Sequence, residues 1–118
     1  MVATSSQPNQ HTWVLTFSGT LIFQSRQAYK TAVNQAETPA PHQIIFDLTD
    51  LSYIHSAGLG LLTLTHRKLT GAGIKISLAS LQESVKQILL LTNMERMFPF
   101  HESVAVALQH SQAVFSHR

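Results

Sequence analysis

Residues 43–68 constrain the fold more than any other stretch of the chain. They comprise an apolar run, a short polar corner and a helical pattern that begins at Ser56. The near-continuous apolar run at 42–48 is typical of a central strand that is covered on both faces. A strand that leads directly into a helix places the junction residue at the edge of the sheet, where the free N–H groups of the helix point. The sequence predicts that Ser56 lies at this junction.

Strand and helix patterns alternate through the rest of the chain. In residues 12–17 the apolar Trp13, Leu15 and Phe17 fall on one face of a strand. The turn signal at 18–20 precedes a short strand at 21–23, so a hairpin or a bent edge is expected. Ser80 and Glu83 have the spacing of a capping box. The other predicted elements are a helix from Gln24 to the prolines at 39 and 41, a helix from Ser56 to about Thr70, a strand at 74–78, a helix at about 82–92, an edge strand at 98–100 and a helix from Ser103 to about Ser111.

This alternation predicts an α/β fold in which helices cover a sheet. A chain of 118 residues has room for one domain with a sizeable core. We expect that domain at residues 12–112, with a flexible N-terminal tail at 1–11 and a C-terminal tail at 113–118. The N-terminus lacks the basic and apolar blocks of a signal peptide, and the longest aliphatic run, at 88–91, is far shorter than the roughly 20 residues that cross a bilayer. We therefore expect a soluble, cytoplasmic protein without membrane binding.

The charge and cysteine content argue against several classes of function. Eight Lys and Arg residues against six Asp and Glu give a net charge of +2, and the basic residues are scattered. Nucleic-acid binding normally requires a basic stripe that contacts several phosphates, so we predict none here. The absence of cysteine excludes disulfides and thiolate metal sites and fits a reducing compartment. With 12% charged residues, the surface suits docking onto other proteins.

Metal and cofactor motifs are also missing from the sequence. The seven histidines are dispersed and form neither a His-x-x-x-His pair nor a His-Glu-x-x-His helix. Gly58 and Gly60 begin a pattern like the dinucleotide fingerprint, but Thr63 stands where the third glycine is needed. We therefore predict no metal and no cofactor.

Several interpretations of Ser56 follow from the residues around it. As an N-cap, its hydroxyl would accept a hydrogen bond from a backbone N–H two or three residues later. As a modification site, a phosphate on Ser56 would be stabilised by the helix dipole and the free N–H groups. Gly58 and Gly60 each weaken a helix by about 1 kcal/mol relative to alanine, which indicates that backbone or a partner approaches closely there.

A hydrolase is another interpretation, because His55 precedes Ser56. A nucleophile elbow requires Gly-x-Ser-x-Gly, and Ile54 stands at the first glycine position although Gly58 fits the last. Adjacent residues rarely bring an imidazole nitrogen to the neighbouring hydroxyl, and no orienting acid is evident in the sequence. We therefore predict no enzymatic activity.

Two segments of the chain resemble the STAS domains, in particular the bacterial anti-sigma factor antagonists. Residues 47–60 are similar to the family signature of Asp-Leu-Ser, a spacer, an apolar residue and Asp-Ser-Ser/Ala-Gly. Residues 92–103 are similar to its segment Thr-Gly-Leu-x-x-x-Phe-x-Ile-x-x-Ser, and the resemblance extends from about Trp13 to Leu108. It implies a STAS-type single domain, with a mixed sheet of about four to five strands and about four helices packed on it.

The resemblance also implies a protein-interaction switch. Members of the family bind an anti-sigma factor that is a serine kinase, and phosphorylation of the serine aligned with Ser56 ends the interaction. A serine phosphatase would reset the switch, and we expect a monomer or a weak dimer. Leu59 and either Leu61 or Leu62 are candidate apolar anchors, but leucines at helical spacing are more often in the core, and this spacing favours the core for Leu62. The predicted partner-binding residues are His55, Ser56, Ala57, Gly58, Leu59, Gly60 and Ile22.

The chain departs from the family pattern at two positions. His55 replaces the acidic residue that precedes the phosphoacceptor, and Ile22 replaces an acidic residue often found after the early hairpin. A neutral imidazole at His55 can instead donate a hydrogen bond to a phosphate. The alternative function is a constitutive scaffold or assembly module of the same fold, in which Ser56 is only a cap.

Overall fold

The computed structural model describes residues 1–116, which form a five-stranded mixed sheet. The strands are β1 (Val2–Asn9), β2 (Thr12–Leu21), β3 (Gln43–Ile54), β4 (Lys75–Ala79) and β5 (Phe100–His101). They lie side by side in sequence order. β1 is antiparallel to β2, and each later pair is parallel.

Four helices lie within these residues: α1 (Arg26–Glu37), α2 (Ser56–Gly71), α3 (Glu83–Leu91) and α4 (Val104–Ser116). Parallel strands need crossover connections, and the first three helices supply them. Single 3₁₀ turns at Phe23–Ser25 and Met94–Arg96 precede α1 and β5. The predicted α/β fold, with a mixed sheet of about four to five strands and about four helices, is thus confirmed. None of the helices described here is long and apolar enough to cross a membrane.

Alternation along the strands divides the core between the two faces of the sheet. On one face, Phe17 and Phe46 meet Tyr29 of α1, and the rings of Phe17 and Tyr29 lie 5.4 Å apart. The opposite face holds a smaller cluster with α4, formed by Val14, Ile45, Ala79 and Ala107. β3 contributes to both clusters, which explains why its first half reads as a continuous apolar run.

β1 overturns the prediction of a flexible tail at 1–11. It pairs with β2 from Val2 opposite Ser18 to Asn9 opposite Thr12. Its side chains are mostly exposed and polar, so the sequence shows no alternation of apolar and polar residues there. A ladder of backbone hydrogen bonds forms without apolar side chains, and this is why the composition of the segment resembles that of a tail.

β2 is one continuous strand where the sequence predicts a turn and a second strand. Gly19 has a φ of +92°, and the register with β3 shifts between Gly19 and Thr20. The glycine therefore introduces an irregularity into the strand and does not reverse its direction. Leu21 ends the strand, so the short strand predicted at 21–23 is wrong.

The capping box predicted at Ser80 and Glu83 is also wrong. Ser80 has a φ of +60°, and its hydroxyl donates to the carbonyl of Glu102 at 3.4 Å. Gln82 is the N-cap of α3, and Glu83 is the first helical residue. The left-handed turn at Ser80 delays the helix, which places the glutamate at N1 instead of N3.

The C-terminal region differs from expectation at two places. β5 begins only after Pro99, which has no N–H to donate, although its carbonyl accepts a hydrogen bond from Leu78 at 3.0 Å. α4 extends to Ser116, so the tail expected at 113–118 begins inside a helix. The remainder of that tail, residues 117–118, lies outside the described residues.

Candidate functional site

The turn between β3 and α2 places Ser56 where β2 and β3 end together. Leu21 lies opposite Ile54 in the register of the two strands. The N–H of His55 donates to the carbonyl of Leu21 at 2.9 Å, and the carbonyl of His55 accepts a hydrogen bond from the N–H of Leu59 at 3.0 Å. The start of α2 is therefore held by a backbone hydrogen bond to β2.

The hydroxyl of Ser56 takes no part in capping α2. His55, with a φ of −87° and a ψ of 168°, is the N-cap, and Ser56 is the first helical residue. Ser56 is exposed, and its Oγ lies 3.3 Å from His55 Nδ1. The N-cap interpretation of Ser56 is wrong, because the extended backbone ends one residue before the serine. The hydroxyl thus stays on the surface without a role in the helix.

Two exposed aromatic residues near this serine were not identified as site residues from the sequence. Tyr53 is 46% exposed, and its ring centroid lies 6.3 Å from that of His55. Phe23 is 57% exposed and follows Ile22, which is half-buried. The guanidinium of Arg26 lies over the Phe23 ring at 4.0 Å. Only the register of two parallel strands brings these segments to one edge of the sheet, so their proximity leaves no local signal in the sequence.

We call residues 53–60 together with 22–23 the serine corner. These ten residues include no Lys, Arg, Asp or Glu. Ala57 and Leu59 are half-buried, whereas Gly60 is exposed. A phosphate of about −1.5 to −2 charges would therefore be the dominant charge of the corner.

The two glycines of the corner differ in the space around them. A Cβ at Gly58 would lie 2.5 Å from the carbonyl oxygen of Leu21 and 3.0 Å from Cγ2 of Ile54. A Cβ at Gly60 would meet nothing within 4 Å. The close approach predicted from the glycines is present at Gly58, where the approaching group is β2 of the same chain. Gly60 faces open space.

The leucines of α2 divide between the core and the surface. Leu62 is 1% exposed and lies in the core, whereas Leu59 and Leu61 are half-buried and pack against it. Leu64 is 59% exposed and was not proposed as an anchor from the sequence. The i, i+3 spacing from Leu61 to Leu64 places both on neighbouring turns of the helix.

The contact between His55 and Ser56 is closer than adjacent residues were expected to allow. A hydrolase triad also requires an acid that orients the imidazole. Among residues 1–110, whose side chains the structure describes, no carboxylate hydrogen-bonds to His55. The pair alone therefore does not form the constellation that activates a serine nucleophile.

The histidines away from the corner pack against other rings. His66 meets Phe98 edge-on at 5.4 Å, and His101 lies 5.5 Å from His110. Burial, with a smaller contribution from the charge of His110, lowers the pKa of His101. In the part of the chain that the structure describes, no three His, Asp or Glu side chains converge as they would around a metal ion.

Comparison with known proteins identifies relatives across most of the chain. The family model of the STAS domain matches residues 4–107. A STAS-domain containing protein of Pseudomonas aeruginosa is 30% identical over 80 residues, which cover 68% of this chain and 78% of the relative. The matched region includes every element that forms the serine corner.

Solved structures share the fold at lower sequence identity. The anti-sigma factor antagonist SpoIIAA in its unphosphorylated form matches with a TM-score of 0.72 and 20% identity over 95% of this chain and 97% of its own. The phosphorylated form of SpoIIAA, a Bacillus cell fate determinant, has a TM-score of 0.65 and 19% identity over 93% of this chain and 99% of its own. A sulfate transporter family protein from Wolinella succinogenes has a TM-score of 0.79 and 13% identity over 90% of this chain and 88% of its own. At these identities the likeness shows the fold alone.

Proposed function

The chain belongs to the STAS domain family, and on that premise we propose that it is an anti-sigma factor antagonist controlled by phosphorylation of Ser56. In this proposal the unphosphorylated serine corner docks onto an anti-sigma factor that is also a serine kinase, in the cytoplasm. Phosphorylation releases the partner, and a serine phosphatase restores the docking form. The chain itself is a substrate in this cycle and performs no catalysis.

The observation that carries the proposal is that the hydroxyl of Ser56 is exposed and does not cap the helix. It is exposed at the first residue of α2, and its only described hydrogen-bonding neighbour is His55 Nδ1 at 3.3 Å. Because this hydroxyl does not cap the helix, its modification would remove the contact with His55 but no capping hydrogen bond. SpoIIAA, which shares this fold, has been solved in an unphosphorylated and a phosphorylated form. This pair of structures supports a phosphorylation switch on the fold.

The chemistry of the serine corner explains how one phosphate would end docking. The corner contains no Lys, Arg, Asp or Glu, and it presents the exposed rings of Phe23 and Tyr53. Aromatic residues of this kind are common anchors at protein interfaces. A phosphate in such a contact must be desolvated and brings about −1.5 to −2 charges, which disfavours the complex.

The direct test is phosphorylation by a purified anti-sigma factor kinase from the same organism. With ATP, the kinase is expected to add one phosphate, which mass spectrometry of peptides locates at Ser56. Ser52 provides a matched control, because it is also exposed, near the end of β3, but its hydroxyl donates to the carbonyl of Gly19 at 2.9 Å. The Ser56→Ala variant is expected to lose labelling and Ser52→Ala to retain it. A phosphate only at other serines would overturn the assignment.

A constitutive scaffold is the second candidate, and two residues favour it. His55 and Ile22 stand where the family resemblance implies acidic residues that a kinase can read. The sulfate transporter family protein with the same fold is consistent with other uses of such a domain. Binding of the same kinase to Ser56→Asp and Ser56→Ala separates the candidates. The switch predicts loss with aspartate and retention with alanine, whereas a scaffold predicts equal binding by both.

A further inference from the structure

A groove separates α1 and α2 on the outer surface of the larger core. It has a volume of about 160 Å³ and is lined by residues from both helices. Its lining includes Lys30, Val33 and Asn34 of α1 and Leu61, Leu64 and Lys68 of α2. The α2 residues that line the groove begin at Leu61, directly after the serine corner, and none of the ten corner residues lines it.

The base of the groove offers apolar contact and no unpaired polar group. The hydroxyl of Tyr29 lies 2.6 Å from Oγ1 of Thr65, and that oxygen is 2.8 Å from the carbonyl of Leu61, to which it donates. Tyr29 and Thr65 thus satisfy each other, and burial raises the pKa of the phenol so that it stays neutral. The base of the groove therefore favours an apolar group.

The apolar wall of the groove is exposed on its α2 side. Leu64 is 59% exposed, and Leu61 is half-buried beside it. A cavity of about 150 Å³ is large enough for a benzene ring, whereas drug-sized ligands occupy about 300–1,000 Å³. The volume therefore fits one apolar side chain of the size of leucine or phenylalanine and is too small for a typical cofactor.

The rim of the groove carries a small net positive charge, because Glu37 pairs with one of its two lysines. Lys30 lies on the α1 side and Lys68 on the α2 side, where its Nζ is 3.0 Å from Glu37 Oε1 and 2.5 Å from Asn34 Oδ1. Together α1 and α2 contain four of the eight Lys and Arg residues but one of the six acidic residues. These two helices carry a formal charge of +3, whereas the rest of the chain carries −1. The surface therefore attracts an acidic partner.

We propose that this groove binds an acidic amphipathic helix of a second protein. One Leu or Phe of that helix enters between Val33 and Leu64, and Asp or Glu residues on its flanking turns meet Lys30 and Lys68. Helices commonly dock in this way, by an apolar anchor in a groove, and complementary charge sets their orientation. The helix would contact residues other than those of the serine corner, since none of the ten corner residues lines the groove.

The test uses designed helical peptides and the isotopically labelled full chain. One peptide carries a Phe anchor flanked by glutamates, a second replaces the glutamates with lysines, and a third replaces the anchor with alanine. We expect the acidic peptide to shift amide NMR signals of α1 and α2 and to bind at least about tenfold more tightly than either control, with the difference falling at high salt. Equal binding by the lysine peptide, or no binding by the acidic one, overturns the proposal.

Two variants and a vesicle measurement complete the test. Leu64→Glu and Lys30→Glu change exposed side chains, so the fold is retained. Each is expected to weaken binding of the acidic peptide at least about fivefold. Leu91→Glu is the matched control, because Leu91 is 84% exposed on α3 and should leave binding unchanged. If phosphatidylglycerol vesicles bind in a Leu64-dependent way and the peptide does not, the groove recognises a lipid surface and the proposal fails.

Discussion

Gly58 and Gly60 are neighbours in the first turns of α2, yet they lie in opposite surroundings. A methyl group added at Gly58 meets the Leu21 carbonyl at 2.5 Å, whereas one added at Gly60 meets nothing within 4 Å. The same contrast continues along the helix, where Leu62 is 1% exposed and Leu64 is 59% exposed. The inner side of α2 holds the helix against β2 and the core. Its outer side, which includes Ser56, contributes little to that packing and is free to contact partners.

The largest effect should come from truncating the inner side. Leu62→Ala removes a fully buried side chain and is expected to lower the free energy of unfolding by about 3 kcal/mol. Leu64→Ala, on the outer side, should change it by less than about 0.5 kcal/mol. Urea denaturation of the two variants measures the difference. Similar losses at both positions would mean that the outer side also supports the fold.

Filling the close contact at Gly58 should have the next largest effect. Gly58→Ala places a Cβ against the backbone of β2, which cannot move away like a flexible side chain. We therefore expect the free energy of unfolding to fall by about 2 kcal/mol, despite the better helix propensity of alanine. Thermal unfolding checks the loss. Unchanged stability would show that β2 yields easily and that the start of α2 is not held by this contact.

The matched substitution on the outer side should have the opposite sign. Gly60→Ala has open space and a helical backbone, so it is expected to stabilise the protein by about 0.5–1 kcal/mol. If the serine corner docks closely onto a partner, the same methyl group should weaken that binding. A variant that is more stable and binds as well as the original would place the partner elsewhere.

The smallest effect on stability is expected at Ser56. Replacing an N-cap serine by alanine typically lowers stability by about 1 kcal/mol, but Ser56 makes no capping hydrogen bond. Ser56→Ala should therefore change the free energy of unfolding by less than about 0.5 kcal/mol. A loss of about 1 kcal/mol in the same urea measurement would show that the hydroxyl caps the helix in solution and would favour the scaffold.

Several elements are predictable from the sequence because their signals are local. The apolar run at 42–48 corresponds to the buried first half of β3, and the pattern from Ser56 to the glycines at 71–73 corresponds to α2. Likewise Leu62 is predicted to be in the core from helical spacing alone. The polar composition at 1–11 gives no such signal, because β1 is stabilised through backbone pairing with β2 and its side chains remain in solvent.

The amino-acid order by itself determines that a serine lies where a central strand meets a helix, because hydrophobic periodicity and helix ends depend on neighbouring residues. Only the tertiary structure decides what surrounds that serine. Leu21 must reach the start of α2 from another strand before Gly58 is confined and His55 becomes the N-cap. In the same way α1 and α2 must pack side by side before Lys30 and Lys68 share a groove. These contacts join residues far apart in the chain, and no local pattern encodes the distances between them.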